Sequence, residues 1–134
     1  MTDIKIKFAF LCDDTRKEDN GKLIFIGAYN SSMIVQNFPA AHILCLVMNI
    51  HADEAVETSI GFRIFFNEHP IAEGGSVINL MKGANFSVFP GVPLNFERPG
   101  LVAFQAKFGQ ADWEEIISIE VIPSQTSNAS APPA

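Results

Sequence analysis

One apolar stretch decides the fold class, and it covers residues 42–50, HILCLVMNI. A short apolar run of this kind between turn signals is typical of a buried β-strand that is covered on both faces. Pro39 precedes the run and the polar residues 51–54, HADE, follow it. We expect both faces of this strand to be buried, one formed by Ile43, Cys45 and Val47 and the other by Leu44, Leu46 and Met48.

A helix is the competing interpretation of residues 42–50, because leucine and methionine are good helix formers. The β-branched residues Ile43, Val47 and Ile50 favour a strand instead.

Other segments on both sides of this stretch alternate between apolar and polar residues, which in a strand places the two sets on opposite faces. In the first of them the even positions are apolar, and they predict a core face made of Ile4, Ile6, Phe8, Phe10 and Cys12. A glycine pair, Gly74-Gly75, predicts a bulge or bend. The predicted strands are residues 4–12, 22–28, 33–36, 42–50, 56–64, 71–81, 101–108 and 117–121, with short edge strands in the proline-rich residues 82–99.

Short strands joined by turns, without a convincing helix, predict an all-β fold. We expect a two-sheet antiparallel β-sandwich of immunoglobulin-like type, with a small β-barrel as the alternative. The length of 134 residues fits a single domain, which we place at residues 3–122. Residues 123–134 are rich in Ser, Ala and Pro and predict a flexible tail.

Composition narrows the classes of partner and the compartment. The chain has a net charge of −6, and its nine Lys and Arg residues are scattered, so the basic surface of a nucleic-acid-binding protein is not expected. No apolar stretch is long enough to span a bilayer, and we expect no membrane association. Residues 1–7 lack the features of a secretory signal, which predicts a cytoplasmic protein whose Cys12 and Cys45 stay reduced.

An acidic segment follows the first predicted strand, and we interpret residues 13–21 as a polar loop that ends in the turn pair Asn20-Gly21. Clustered carboxylates are the ligands that Ca²⁺ prefers, so this loop is the one candidate metal site. The spacing departs from that of an EF-hand, and Arg16 and Lys17 partly neutralise the cluster, which favours a solvated turn with local salt bridges. The candidate ligands are Asp13, Asp14, Glu18 and Asp19.

The sequence shows no arrangement of residues that is typical of an enzyme, and we expect neither catalysis nor a cofactor. His42, His51 and His69 lack the spacing of a metal-binding helix. Cys12 precedes two aspartates, which disfavour its thiolate, and Cys45 lies in the most apolar segment. No phosphate-binding glycine motif and no Gly-x-Ser-x-Gly motif occurs.

What remains is the surface. Apolar residues make up 48% of the chain and charged residues only 18%, so some apolar side chains must lie outside the core. We therefore expect a non-enzymatic interaction or structural module that forms a homo-oligomer or docks on a protein partner in a larger bacterial or phage assembly. The alternative is a small-ligand or Ca²⁺-binding module that uses the acidic loop. The residues expected to be apolar and outward are Ile24, Ile26, Phe65, Phe89 and Trp113.

The first 30 residues of the chain carry a resemblance. Residues 8–29, FAFLCDDTRKEDNGKLIFIGAY, combine Cys-Asp-Asp, a glutamate, Gly-Lys and Ile-Gly in this order. This segment resembles a family of small uncharacterised bacterial proteins, and Phe38-Pro39 and Pro99-Gly100 are also similar to that family. The resemblance implies a cytosolic β-sandwich and carries no activity, cofactor or catalytic residue.

Overall fold

The computed structural model describes residues 3–124, which form nine β-strands and no helix, so none of these residues belongs to a helix long and apolar enough to cross a membrane. The expected flexible tail falls almost entirely on residues 125–134, which lie outside the described residues. The strands are β1 (Ile4–Lys17), β2 (Leu23–Ala28), β3 (Ser32–Val35), β4 (Ala40–Ala52), β5 (Val56–Phe66), β6 (His69–Leu80), β7 (Gly83–Phe96), β8 (Gly100–Phe108) and β9 (Glu114–Pro123).

The strands form two separate sheets that enclose a common core. One sheet has the order β2-β1-β4-β7 and the other the order β3-β9-β8-β5-β6. The prediction of an all-β, two-sheet fold is confirmed, and the barrel alternative is wrong because neither sheet closes on itself. Six of the seven strand pairs among the described residues are antiparallel, as predicted, whereas β3 runs parallel to β9. These two strands are far apart in the chain, so the long connection that a parallel pair requires is available.

β4 is the central strand predicted from residues 42–50, and it lies between β1 and β7. Residues 44–50 are all buried, which confirms two-sided burial over this part of the strand and excludes the helix. Leu46 belongs to the main core between the sheets, whereas Val47 belongs to a second, smaller cluster on the opposite face. Burial of Ile43 was predicted wrongly, because Ile43 is 72% exposed near the start of β4, where its partner on β7 is Pro93.

The main core combines side chains from both sheets, and its aromatic centre includes Phe96 and Phe104. At roughly 25 cal/mol per Å² of apolar surface removed from water, burial of this kind is the dominant stabilising contribution. The fully buried side chains of the core include Leu11, Met33, Leu46, Met48, Ile50, Ile60, Leu94, Val102 and Ile119.

A bulge in β1 changes which side chains of that strand face the core. Between Ile6 and Phe8 the pairing with β4 shifts, so that β1 carries one extra residue. Ile4 and Ile6 pack against the main core as predicted, but after the bulge Ala9 and Leu11 take the inward positions. The predicted inward orientation of Phe8, Phe10 and Cys12 is therefore wrong, because a prediction from strict alternation takes no account of an inserted residue.

The acidic segment is mostly strand rather than loop. β1 continues to Lys17, and Arg16 and Lys17 pair with Ile24 and Leu23 of β2. Only the turn at its end matches the prediction, because the N–H of Gly21 donates to the Glu18 carbonyl at 2.9 Å and Gly21 has a φ of +90°. These polar residues can continue the strand because the hydrogen bonds with β2 are formed by the backbone and not by the side chains.

Residues 83–96 form one long edge strand, β7, instead of the short strands predicted for 82–99. Pro90 and Pro93 are compatible with this position because an edge strand needs backbone donors on one side only. The bulge predicted at Gly74-Gly75 is absent, since β5 and β6 pair without a shift there. Gly75 serves a different purpose, because a Cβ at this position would lie 3.0 Å from the carbonyl oxygen of Ile60.

Candidate interaction surfaces

The four acidic residues proposed as calcium ligands have separate partners in the structure. Asp13 accepts a hydrogen bond from the Tyr29 hydroxyl at 2.8 Å. Asp14 forms an ion pair with Arg16 at 2.7 Å and accepts the N–H of Thr15 at 2.8 Å. In the turn that follows, Glu18 lies 3.9 Å from the Lys22 ammonium, and Asp19 is exposed.

These carboxylates do not converge on one point. Asp13 and Asp14 are neighbours in an extended strand, where successive side chains point to opposite faces. Within residues 3–124, no group of three or more His, Cys, Asp or Glu side chains is arranged to hold a metal ion. His42 and His51 lie near the two ends of β4, and His69 begins β6.

The Asp13–Tyr29 pair explains the glycine of the Ile-Gly motif. Gly27 has a φ of +69°, and a Cβ built on it would collide with the Asp13 carboxylate. Burial, together with the hydrogen bond to Asp13 and its negative charge, raises the pKa of the Tyr29 hydroxyl to about 12. The pair therefore ties the end of β2 to the middle of β1 and has no feature that points to a ligand.

The two cysteines lie opposite each other on neighbouring strands. Cys12 of β1 is the Cα partner of Cys45 of β4, and both are free thiols and buried. Burial raises the pKa of the Cys12 thiol, and the proximity of Cys45, Asp13 and Asp14 adds to the effect, whereas a backbone hydrogen bond at Asp14 lowers it. A buried thiol that is hard to deprotonate is a poor nucleophile.

Four phenylalanine rings lie on the outer face of the four-stranded sheet, away from the main core. We call Phe8, Phe10, Phe25 and Phe86 the phenylalanine patch. The ring centroids follow each other in a closed circuit, with separations of 6.5 Å (Phe8–Phe10), 5.1 Å (Phe10–Phe25), 5.6 Å (Phe25–Phe86) and 6.0 Å (Phe86–Phe8). Such edge-on and offset contacts are favourable for aromatic rings.

The patch covers the second hydrophobic cluster and remains exposed itself. Cys12, Cys45 and Val47 are buried beneath Phe10, Phe25 and Val88. Phe8 and Phe86 are 49% and 47% exposed, although each has a ring neighbour on both sides in the circuit. Thus no element among residues 3–124 covers the patch.

Ile24 and Ile26, two of the five residues predicted to point outward, are each 44% exposed on β2. Phe65 and Trp113 are half-buried on the outer side of the five-stranded sheet, where the guanidinium of Arg63 lies 5.3 Å and 4.2 Å from their ring centroids.

Phe89 does not point outward as predicted. It packs against the main core, with its ring centroid 4.7 Å from that of Phe62. The reason is that Phe89 is the register partner of Leu46, whose side chain faces the core.

A cleft opens between the two sheets on the side where β6 and β7 form their edges. Its volume is about 240 Å³. The walls are side chains of the main core, and the rim consists of small residues from β6 and of Gly91 to Pro93 from β7. The lining residues include Leu46, Phe62, Ile64, Phe89 and Phe104.

The cleft exists because β6 places small residues on its inner face. Ala72, Gly74 and Ser76 are the register partners of Ile64, Phe62 and Ile60, so they share the core side of the sheet. All three are nevertheless exposed, and a Cβ built on Gly74 would meet no atom within 4 Å. Small residues at every second position of residues 72–76 were the sequence signal of this cleft, and alternation of apolar residues alone does not reveal it.

Comparison with known proteins gives a family without an assigned activity. No curated protein matches the chain. A model described as "Family of unknown function (DUF6941)" matches residues 7–121, which include all of the strands from β2 to β8 and most of β1 and β9. On the strength of this match over most of its length, the chain belongs to the DUF6941 family of unknown function.

Proposed function

We propose that this protein is a non-enzymatic interaction module that self-associates through the phenylalanine patch. The observation that carries this proposal is the half-exposure of Phe8 and Phe86 within a contiguous set of four rings. Single exposed apolar residues are ordinary on protein surfaces, whereas a contiguous apolar patch is typical of an interface. Aromatic residues are also enriched at the centres of interfaces.

A second copy of the chain is the occupant that we propose. The charges along β1 do not specify its orientation, because Asp13 and Asp14 are followed by Arg16 and Lys17. The net charge of −6 opposes association at long range, so the apolar rings of the patch provide the proposed interface.

The acidic segment supports the alternative function less well. Calcium binding requires six to eight oxygen ligands around one point, and the carboxylates of Asp13 and Asp14 are occupied by Tyr29 and Arg16. We therefore assign residues 13–21 a structural role.

We further propose that the two sheets form an immunoglobulin-like sandwich in a cytoplasmic protein of bacterial type. Support for the fold comes from the strand order, because β9-β8-β5-β6 corresponds to the G-F-C-C′ sheet of such domains and β1-β4-β7 to strands A, B and E. β2 would then be an addition to the four-stranded sheet that contains β1, β4 and β7. The resemblance of residues 8–29 supports the location and the bacterial type.

Sedimentation velocity of the full chain tests self-association. We expect a concentration-dependent dimer for the wild type and a monomer for the double variant Phe8→Ser/Phe86→Ser, because the substitution removes both exposed rings. Ile34→Ser is the matched control, since Ile34 is 63% exposed but lies on β3 in the other sheet. A wild type that stays monomeric at high micromolar concentration refutes self-association, and so does a double variant that dimerises as well as the control.

A further inference from the structure

We infer that the cleft between β6 and β7 binds an extended, basic segment of a partner protein, which adds to the free edge of β6 and inserts one large apolar side chain between the sheets. This inference concerns a different surface from the phenylalanine patch and does not depend on self-association.

The free edge of β6 supplies the backbone contacts. β6 is the last strand of its sheet, and within residues 3–124 no strand pairs with its outer side. In an antiparallel pair, every second residue directs its N–H and C=O away from the partner strand, so β6 offers a row of backbone donors and acceptors on its free side over residues 71–80, beyond Pro70. An extended peptide satisfies such a row by adding one more strand.

The opposite rim of the cleft cannot accept a strand in the same way. β7 is also an edge, but Pro90 and Pro93 lack the backbone N–H that a ladder requires. Gly91 between them has a φ of +75°, outside the extended region. The added strand therefore pairs with β6, and β7 forms the opposite wall against which its side chains pack.

The size of the cleft fits one large apolar side chain of the added strand. A strand beside β6 directs alternate side chains towards the space between the sheets. Its position there lies over Ala72, Gly74 and Ser76, which leave this space open. A dry cavity of about 150 Å³ is known to accept a benzene molecule, so a cleft of about 240 Å³ is large enough for a phenylalanine or leucine side chain.

The net charge of the chain favours one kind of flanking residue in the partner. The whole chain carries a net charge of −6, whereas Glu73, the charged residue that lines the cleft, has Arg63 as its register partner on the outer face of the sheet. A segment with lysine or arginine on either side of its apolar anchor is therefore favoured over an acidic one.

Titration of the ¹⁵N-labelled full chain with synthetic peptides tests this inference. The probe is Lys-Thr-Val-Phe-Val-Thr-Lys with blocked ends, and the readout is the set of backbone amide shifts. We expect saturable shifts along β6 and in the residues that line the cleft. Replacing the central phenylalanine of the peptide by alanine should weaken binding about tenfold to a hundredfold, because burial of the ring is lost. Absence of saturable shifts on β6 at millimolar peptide overturns the inference.

Gly74→Leu fills the cleft from within, and the structure leaves room for the new side chain. We expect this variant to bind the phenylalanine peptide at least about tenfold more weakly without a loss of thermal stability. Asn79→Leu is the matched control, because it adds the same side chain to an exposed position on the other face of β6 and should leave binding unchanged. Equal binding by Gly74→Leu and Asn79→Leu refutes the cleft as the site.

Peptides methylated on alternate backbone nitrogens separate strand addition from simple occupation of the cleft, and they use the wild-type chain only. Methylation in one register blocks the hydrogen bonds to β6, and methylation in the other register faces solvent, so one peptide should lose binding and the other retain it. Equal binding by both overturns strand addition. Shifts on β6 that arise from raising the protein concentration alone, and that vanish in Gly74→Leu, identify a second copy as the occupant and overturn the assignment to a partner.

Discussion

Val47→Ala tests whether the outer face of the four-stranded sheet is a true hydrophobic layer. Val47 is fully buried in the cluster beneath Phe10, Phe25 and Val88, on the face of β4 opposite the main core. Truncation removes two buried carbon atoms, which correspond to about 1.6 kcal/mol at ~0.8 kcal/mol each. A cavity that collapses only partly adds about 1 kcal/mol. We therefore expect the free energy of unfolding to fall by about 2–3 kcal/mol, out of a typical total of about 5–15 kcal/mol.

Two further valine-to-alanine variants give reference values for the loss of stability at a buried and at an exposed position. Val102 is also fully buried but lies in the main core, and Val77 is 64% exposed on β6. Urea denaturation followed by the fluorescence of the single tryptophan, Trp113, measures all three. With an m-value of about 1.5 kcal/mol/M, losses of this size lower the midpoint by about 1–2 M for Val47→Ala and Val102→Ala, while Val77→Ala should stay within about 0.5 kcal/mol of the wild type.

The hydrophobic layer on the outer face is refuted if Val47→Ala loses as little stability as Val77→Ala, because the phenylalanine rings then do not shield Val47 from water. Repeating the measurement at two protein concentrations removes the contribution of self-association, since only the stability of an oligomer depends on concentration. Leu46→Ala, on the opposite face of β4, should be destabilising at either concentration, because Leu46 faces the main core.

Three other predictions concern single groups. The pKa of the only tyrosine, Tyr29, should be about 12 in the folded protein, so the contribution of Tyr29 to stability is constant below pH ~10 and is lost as the pH rises from about 10 to about 12; absorbance of the tyrosinate measures the pKa, and Asp13→Asn should lower it. Gly75→Ala should destabilise the fold because its Cβ meets a carbonyl oxygen, whereas Gly74→Ala should be neutral or stabilising; equal midpoints in urea contradict this. The Cys12 thiol should react with a disulfide reagent only on unfolding, and rapid reaction in the native state contradicts its burial.

The sequence predicted most of the strands because their patterns are local. The apolar run around Leu46 and Val47 predicts two-sided burial correctly, since a strand with apolar residues on both faces is stable only when both are covered. What the pattern cannot specify is which element provides the second cover. Here it is provided by phenylalanine side chains of the same sheet, and their orientation depends on a bulge at Lys7 that leaves no signal in the alternation.

The candidate interaction surfaces were harder to predict than the strands, because they arise from the relation between elements. Ile24 and Ile26 were identified correctly as exposed, since both faces of β2 are apolar. Phe89 was placed on the wrong face, because the pairing of β4 with β7 shifts by one residue between Leu44 and Leu46. The cleft requires that β6 and β7 form the edges of the two sheets on the same side, and strand order is not encoded in any one segment.

The motif that carries the family resemblance is explained by structure rather than by chemistry. Cys12 fills the cluster beneath the phenylalanine patch, Asp13 holds Tyr29, Gly21 closes the turn, and Gly27 leaves room for the Asp13 carboxylate. Together they fix the position of β2 on β1, and with it the position of Phe25 in the patch. Residues with these tasks are needed in any chain that builds this hairpin, whatever it binds. Differences in partner among proteins of this kind should therefore arise at the patch and at the rim of the cleft, and not in the acidic segment.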